Sequence, residues 1–209
     1  MDCGQAWSRE AIDLAIARGP HPTAQESDAI ALVHEDIAYQ VAAGFTEIVY
    51  WDEIQDSVPE NFKVSPVAVI PQAGRRGRII LDLSFPVRRP PSTANSKKRR
   101  MGEVVTPSVN DTTKKLAPTG PVHEIGQVLP RLLHFMATTP ADQEIRLSKV
   151  DLSDGFWRIM VQPSQKWNFC YVMPDPPGSR VRIVIPSALQ MGWAESPTYF
   201  CAATETGRD

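Results

Sequence analysis

The chain has 209 residues, 42% hydrophobic and 22% charged, enough for one large domain or two small ones around a real core. No apolar run approaches the roughly 18 residues of a membrane span, and MDCGQAWSREAIDLAIARG lacks the basic and apolar regions of a signal peptide. Cys3, Cys170 and Cys201 are too scattered for a disulfide framework or a metal-ligand spacing, which points to a reducing compartment, cytoplasmic or nuclear.

The net charge of −2 conceals an asymmetry. Residues 1–60 carry two arginines against twelve acids, and residues 75–100 carry nine Lys or Arg against Asp82 alone. A basic block in a mildly acidic chain suggests a polyanion partner at that block, with a solvated basic loop as the rival reading. His21, His34, His123 and His134 are dispersed and read as structural or surface residues.

In chain order, residues 6–18 read as a helix with Ser8 as its N-cap, and residues 24–43 as a second, closed by Gly44. TEIVYWDEI is a short apolar connection with helical character. At residue 64 the period changes. VSPVAVIPQAGRRGRIILDLSF predicts strands over about 66–71 and 78–83, joined by the basic loop QAGRRG. Residues 86–121, rich in Pro, Ser, Thr, Asn and basic residues, predict an extended connection carrying KKRR at 97–100. Residues 122–139 read as a helix or a proline-interrupted pair. EIRLSKVDL reads as a strand, with Ile145, Leu147 and Lys149 on one face. FWRIMV starts another short segment. KWNFCYVMP and RVRIVIP alternate around DPPGS and predict a hairpin. ESPTYFCAATETGRD opens a helix, with Ser196 as N-cap and Pro197 at its first position.

Chemistry concentrates in SKVDLSDGFWRIMV. Asp151 falls where the expected strand meets a turn, and an ionised carboxylate buried there needs a partner. A divalent cation is one solution, since Mg²⁺ takes one or two carboxylates plus substrate phosphates. The other is a turn in which Asp151 or Asp154 caps its own backbone.

The order of the stretches SPVAVIPQAGRRGRIILDLS, SKVDLSDGFWRIMV and MGWAESPTYF resembles that of the reverse transcriptases of retroviruses and LTR-type retroelements. The resemblance covers roughly 62–209. It rests on an apolar strand with a basic turn, an arginine and then an aspartate; on a strand ending in aspartate with an aromatic five residues later; and on a glycine followed by Ser-Pro and an aromatic. It implies an α+β fold: right-hand polymerase fingers with an incomplete palm, an antiparallel sheet plus helices, over 62–209, preceded by an N-terminal helical region, 1–61.

The resemblance also implies roles. Asp151 would be the catalytic, metal-binding carboxylate, with Mg²⁺ or Mn²⁺, and the backbone N–H groups after it would face a triphosphate. Phe156 would sit under the incoming sugar, where a 2′-hydroxyl would clash. Arg75, Arg76, Arg78, Asp82, Met191 and Gly192 would complete the nucleotide site. Arg88, Arg89, Lys97, Lys98, Arg99, Arg100, Ser196 and Pro197 would contact nucleic acid. The partners would be an RNA template, a DNA primer and a dNTP, the chain would be part of a larger polyprotein, and no membrane would be involved.

The chain departs from the pattern at Pro71 and Gln72, where the family has lysine, at Ser84, where it often has arginine, and at Met191, where glutamine is common. No Asp-Asp pair occurs, so the family's Tyr-x-Asp-Asp turn is missing. Two-metal phosphoryl transfer draws carboxylates from both segments. The expectation is therefore a polymerase fragment inactive alone, with an open apolar sheet edge at 145–150 and 181–185. The alternative is a non-catalytic nucleic-acid-binding remnant of a retroelement.

Overall fold

A computed structural model describes residues 1–90, 102–148 and 151–206. The helices are α1 (Arg9–Arg18), α2 (Ser27–Ala42), α3 (Trp51–Ile54), α4 (Val109–Thr112), α5 (Gly120–Gly126), α6 (Val128–Thr138) and α7 (Ser196–Thr206). The strands are β1 (Thr46–Tyr50), β2 (Val67–Gln72), β3 (Arg75–Leu81), β4 (Val87–Arg88), β5 (Val104–Thr106), β6 (Tyr171–Val172) and β7 (Arg182–Pro186). Helices and small antiparallel sheets are thus mixed in one α+β arrangement. No helix among the described residues is long and apolar enough to cross a membrane.

Local signals set the first two helices. The Ser8 hydroxyl accepts from the Ala11 backbone N–H, satisfying a donor that a helix start leaves without a partner. Gly44, φ 75°, takes the left-handed position just past α2. TEIVYWDEI, expected as a connection, splits into β1 and α3. β1 exists because β7 offers a ladder running from Thr46 opposite Pro186 to Tyr50 opposite Arg182.

The three-stranded sheet has the order β1-β7-β6. Ile183, Val184 and Ile185 are all fully buried, so both faces of β7 are covered. The open edge expected at 181–185 is therefore corrected: β7 is the central strand. Trp7, Val33 and Ile37 from the first 61 residues share one core with Phe62, Val67, Phe169 and Ile183. The sheet itself crosses the boundary drawn at residue 61.

The expected hairpin forms as β2 and β3, with a tighter turn than QAGRRG suggests. Ala73 and Gly74 (φ 67°) alone join the strands, so Arg75 and Arg76 lie on β3 rather than at a loop tip. The register slips between Ile70 and Gln72, at Pro71, which has no N–H to give to a ladder.

Residues 86–121 are not simply extended. Their described part holds the antiparallel pair β4 and β5, and α4. Residues 122–139 form the interrupted pair, α5 and α6. Pro130 sits in the first turn of α6, where a missing N–H does no harm.

The strand expected over 144–152 is absent among the described residues, which exclude 149 and 150. Alternation alone does not make a strand, and no described strand runs beside this segment to complete a ladder. FWRIMV begins as a 3₁₀ turn, Gly155–Arg158, and KWNFCYVMP has a 3₁₀ turn, Lys166–Phe169, before β6. The β6–β7 hairpin forms as expected, though only Tyr171 and Val172 pair with β7 on that side.

Candidate functional site

A cavity of about 640 Å³ lies between the turn at 151–157, Met191 and α7. Its walls are Asp151, Leu152, Asp154, Phe156, Trp157, Met191, Phe200 and Thr204, with Gly155 at the bend. Asp154 is in the left-handed region, φ 55°, which aspartate tolerates better than most residues, and its carbonyl accepts from the Trp157 N–H at 2.8 Å. That closure turns Phe156 and Trp157 toward the cavity. Phe200 and Thr204 stand one helical turn apart and so share a face of α7.

Met191 is placed by the residue after it. Gly192 has φ 110°, and a Cβ there would lie 2.6 Å from the Leu81 carbonyl oxygen. The bare backbone lets this turn rest against the end of β3. The Arg78 guanidinium on β3 then donates to the Met191 sulfur.

Asn110 locks the assembly. Its Nδ2 donates to Ser84 Oγ and to the Gly192 carbonyl, both at 2.8 Å, while its Oδ1 accepts from the Ala194 N–H at 2.9 Å. Asn110 is held on α4 by a capping box, in which Ser108 Oγ accepts from the Asp111 N–H and the Asp111 carboxylate accepts from the Ser108 N–H.

The structure thus brings Asp151, Phe156 and Met191 together, with Arg78 and Gly192 against Met191. It keeps the other candidates apart. Asp151 is exposed and ends no described strand, so it is not the buried carboxylate expected. Asp82 lines no part of the cavity; its Oδ1 accepts from the Ser84 N–H at 3.1 Å in a local turn. It faces Arg18, whose guanidinium burial pushes down to about 10, against the opposing pull of Asp82. Arg75 is exposed on β3, and Arg76 is paired with Glu35 at 3.0 Å. Arg88 donates to the Gly102 carbonyl at 2.9 Å, and Arg89 is paired with both Glu10 and Glu103.

Ser196 begins α7 rather than preceding it. It is buried, with its hydroxyl donating to the Gln190 carbonyl at 2.8 Å; Pro197, second in the helix, is exposed. Lys97, Lys98, Arg99 and Arg100 lie outside the described residues.

One unexpected carboxylate comes from α2. Asp36 accepts from Gln40 Nε2 at 2.6 Å, and Gln40 Oε1 in turn accepts from the Thr46 hydroxyl at 2.9 Å. It lines a crevice that shares Trp157 and Met191 with the main cavity. Burial raises its carboxyl above the usual range, opposed by Arg76 and reinforced by Asp154.

The donors do not fit a resident metal centre. Asp151 and Asp154 are exposed, and no group of three or more His, Cys, Asp or Glu able to hold a metal occurs among the described residues. Sequence reading also passed over Trp157, Phe200, Thr204, Asn110 and Asp36. Ser-x-x-Asp at 108–111 was an available signal for the α4 turn. Nothing local marks Asp36, which a tertiary contact brings to the cleft. Compared with known proteins, the chain matches no family model and no curated protein.

Proposed function

We propose that the chain is the nucleotide-binding part of a reverse transcriptase of the LTR-retroelement type, comprising fingers and part of the palm of a right-hand polymerase. Its partners would be an RNA template, a DNA primer and a dNTP, within a larger polyprotein. One observation carries the reading. Residues spread from 78 to 191, drawn from three separate motifs, converge on one cleft: Asp151, Phe156 and Met191 in its wall, and Arg78 on the Met191 sulfur.

The chemistry of the walls agrees with a nucleotide. Phe156, Trp157 and Phe200 give apolar and aromatic surface for a sugar and base. The carboxylates of Asp151 and Asp154 oppose a bare triphosphate, so the nucleotide would bring its own Mg²⁺ or Mn²⁺, shared through its phosphates.

A second reading, a nucleic-acid-binding remnant without turnover, is favoured by the absence of a metal-holding group among the described residues and of any Asp-Asp pair. Primer extension and direct nucleotide binding separate the two. The first reading expects the chain to bind dNTP, to lose affinity in Asp151→Asn, and to add no nucleotide to a DNA primer on an RNA template. Oligonucleotide binding without dNTP binding would select the second reading. Template-dependent synthesis by the chain itself, abolished by Asp151→Asn, would overturn the expectation of inactivity.

A further inference from the structure

A separate cavity, of about 330 Å³, lies between α1 and β4 and shares no lining residue with the cleft. Leu14, Ala17 and Arg18 stand at i, i+3 and i+4, and so turn one face of α1 toward it. Phe85, with Val87 and Arg88 of β4, continues the wall, and Arg89 lies beside them. The lining is thus apolar with guanidinium groups set into it, and no carboxylate lines it among the described residues.

The three arginines are not equivalent. Arg89 is paired with Glu10 and Glu103, so its charge is already offset. Arg88 forms no ion pair among the described residues; its Nη1 donates to the Gly102 carbonyl. Arg18 donates from Nη2 to the Val64 carbonyl at 3.1 Å, and its guanidinium lies 4.9 Å from the Phe85 ring centroid. Its Nε, however, is buried with no hydrogen-bond partner. Asp82 acts on Arg18 only from a distance, without an ion pair. A guanidinium drawn out of water with a donor unmet and no carboxylate against it costs stability. Two uncompensated positive charges beside apolar walls call for a doubly negative group on an apolar body.

We propose that this cavity binds a phosphate monoester, with its dianionic phosphate on Arg18 and Arg88 and its apolar body against Leu14 and Val87. The volume is at the low end for a small-molecule site: room for one small ligand, and too little for a run of nucleic-acid backbone. A phosphate monoester carries a charge of about −1.5 to −2 near neutral pH and three acceptor oxygens, which suits two guanidinium groups. A diester carries one negative charge and two substituents, and fits neither the charge nor the space. The phosphate has two sources, a free small molecule or the phosphorylated 5′ end of a strand, and its chemistry at the arginines is the same in both. The proposal does not depend on the nucleotide reading of the cleft.

The test is calorimetric titration of the whole chain with phenyl phosphate and with its methyl diester. Wild type should bind the monoester about tenfold more tightly than the diester. Arg18→Met and Arg88→Gln should each weaken monoester binding by about tenfold or more. Ala17→Phe fills the cavity from an exposed helix position, leaves both arginines in place, and should abolish binding. Arg131→Gln removes a positive charge outside the cavity and should leave binding unchanged. Thermal melting identifies any variant that fails to fold, and the folded ones carry the comparison. A short oligothymidylate with and without a 5′-phosphate separates the sources. A preference for the phosphorylated form that Ala17→Phe removes assigns the strand end; no preference, with phenyl phosphate still bound, assigns a free small molecule. No binding of phenyl phosphate, equal binding of the diester, or binding that survives both Ala17→Phe and Arg18→Met overturns the proposal.

Discussion

Asp36 sits half-buried beside a second carboxylate, Asp154, and its charge is opposed first by burial. Its pKa is raised above the ordinary 3.8, with Arg76 and the Gln40 hydrogen bond pulling the other way. A carboxyl whose folded value exceeds its unfolded one contributes stability that is fully present below the unfolded value. That contribution is lost as pH rises through the folded value. Asp36→Asn should therefore raise stability at neutral pH, with the gain vanishing below about pH 4, where the wild-type group is itself neutral. Urea midpoints across that range check the sign; a gain independent of pH would mean that hydrogen bonding rather than charge is responsible. Gly192 is constrained more simply. Gly192→Ala places a Cβ 2.6 Å from the Leu81 oxygen at φ 110°, and should lower unfolding stability by about 2 kcal/mol or more. The same substitution should weaken dNTP binding, because the turn carrying Met191 has to lift off β3.

Short elements here are held by caps rather than by length. α4 spans only Val109–Thr112, yet its Asn110 ties Ser84, Gly192 and Ala194 together. Ser108→Ala removes the hydroxyl from a fully buried site and should cost about 1–2 kcal/mol in denaturant unfolding. A change within a few tenths would mean that Asn110 holds the turn unaided. Legibility followed the same division between local and distant causes. α1, α2, the β2–β3 hairpin and α7 were readable because Ser8, Gly44, Gly74 and Pro197 act on their own neighbours. β1 was not, since TEIVY becomes a strand only beside β7, more than a hundred residues away. EIRLSKVDL failed in the opposite sense: it has the alternation of a strand without a described strand next to it. In the cleft, Asp151, Phe156 and Met191 were marked by the resemblance of their motifs to those of a polymerase family. Phe200 and Thr204 are separated by one helical turn, a spacing that says they share a face but not which cavity the face meets.

Across the described residues, the acidic first 60 residues and the part of the basic block at 75–90 are in contact through ion pairs. Glu35 on α2 pairs with Arg76 on β3, and Glu10 on α1, with Glu103, pairs with Arg89 beside β4. Two arginines that the sequence offers to a polyanion are thus already neutralised inside the chain. These ion pairs are exposed, and such pairs contribute only about 0–1 kcal/mol, so a nucleic-acid backbone can displace them. The internal carboxylates then act as competitors whose removal should be visible in the salt dependence of binding. Each phosphate contact contributes about 0.7 to the slope of log K against log salt on a single strand. The triple substitution Glu10→Gln, Glu35→Gln and Glu103→Gln frees both arginines and should steepen that slope by about 1.4, as well as tightening binding at low salt. Glu26, Asp56 and Glu60 form no ion pair among the described residues, so neutralising them is a matched control: it lowers the negative charge equally but should leave the slope close to that of wild type. Fluorescence anisotropy with a labelled single-stranded oligonucleotide over a range of salt concentrations gives both slopes. Equal slopes for the two triple variants would mean that Arg76 and Arg89 do not contact the strand. Nucleic-acid affinity would then reside in other charges, and the pairing with Glu10 and Glu35 would serve only to dock the acidic helices on the sheet.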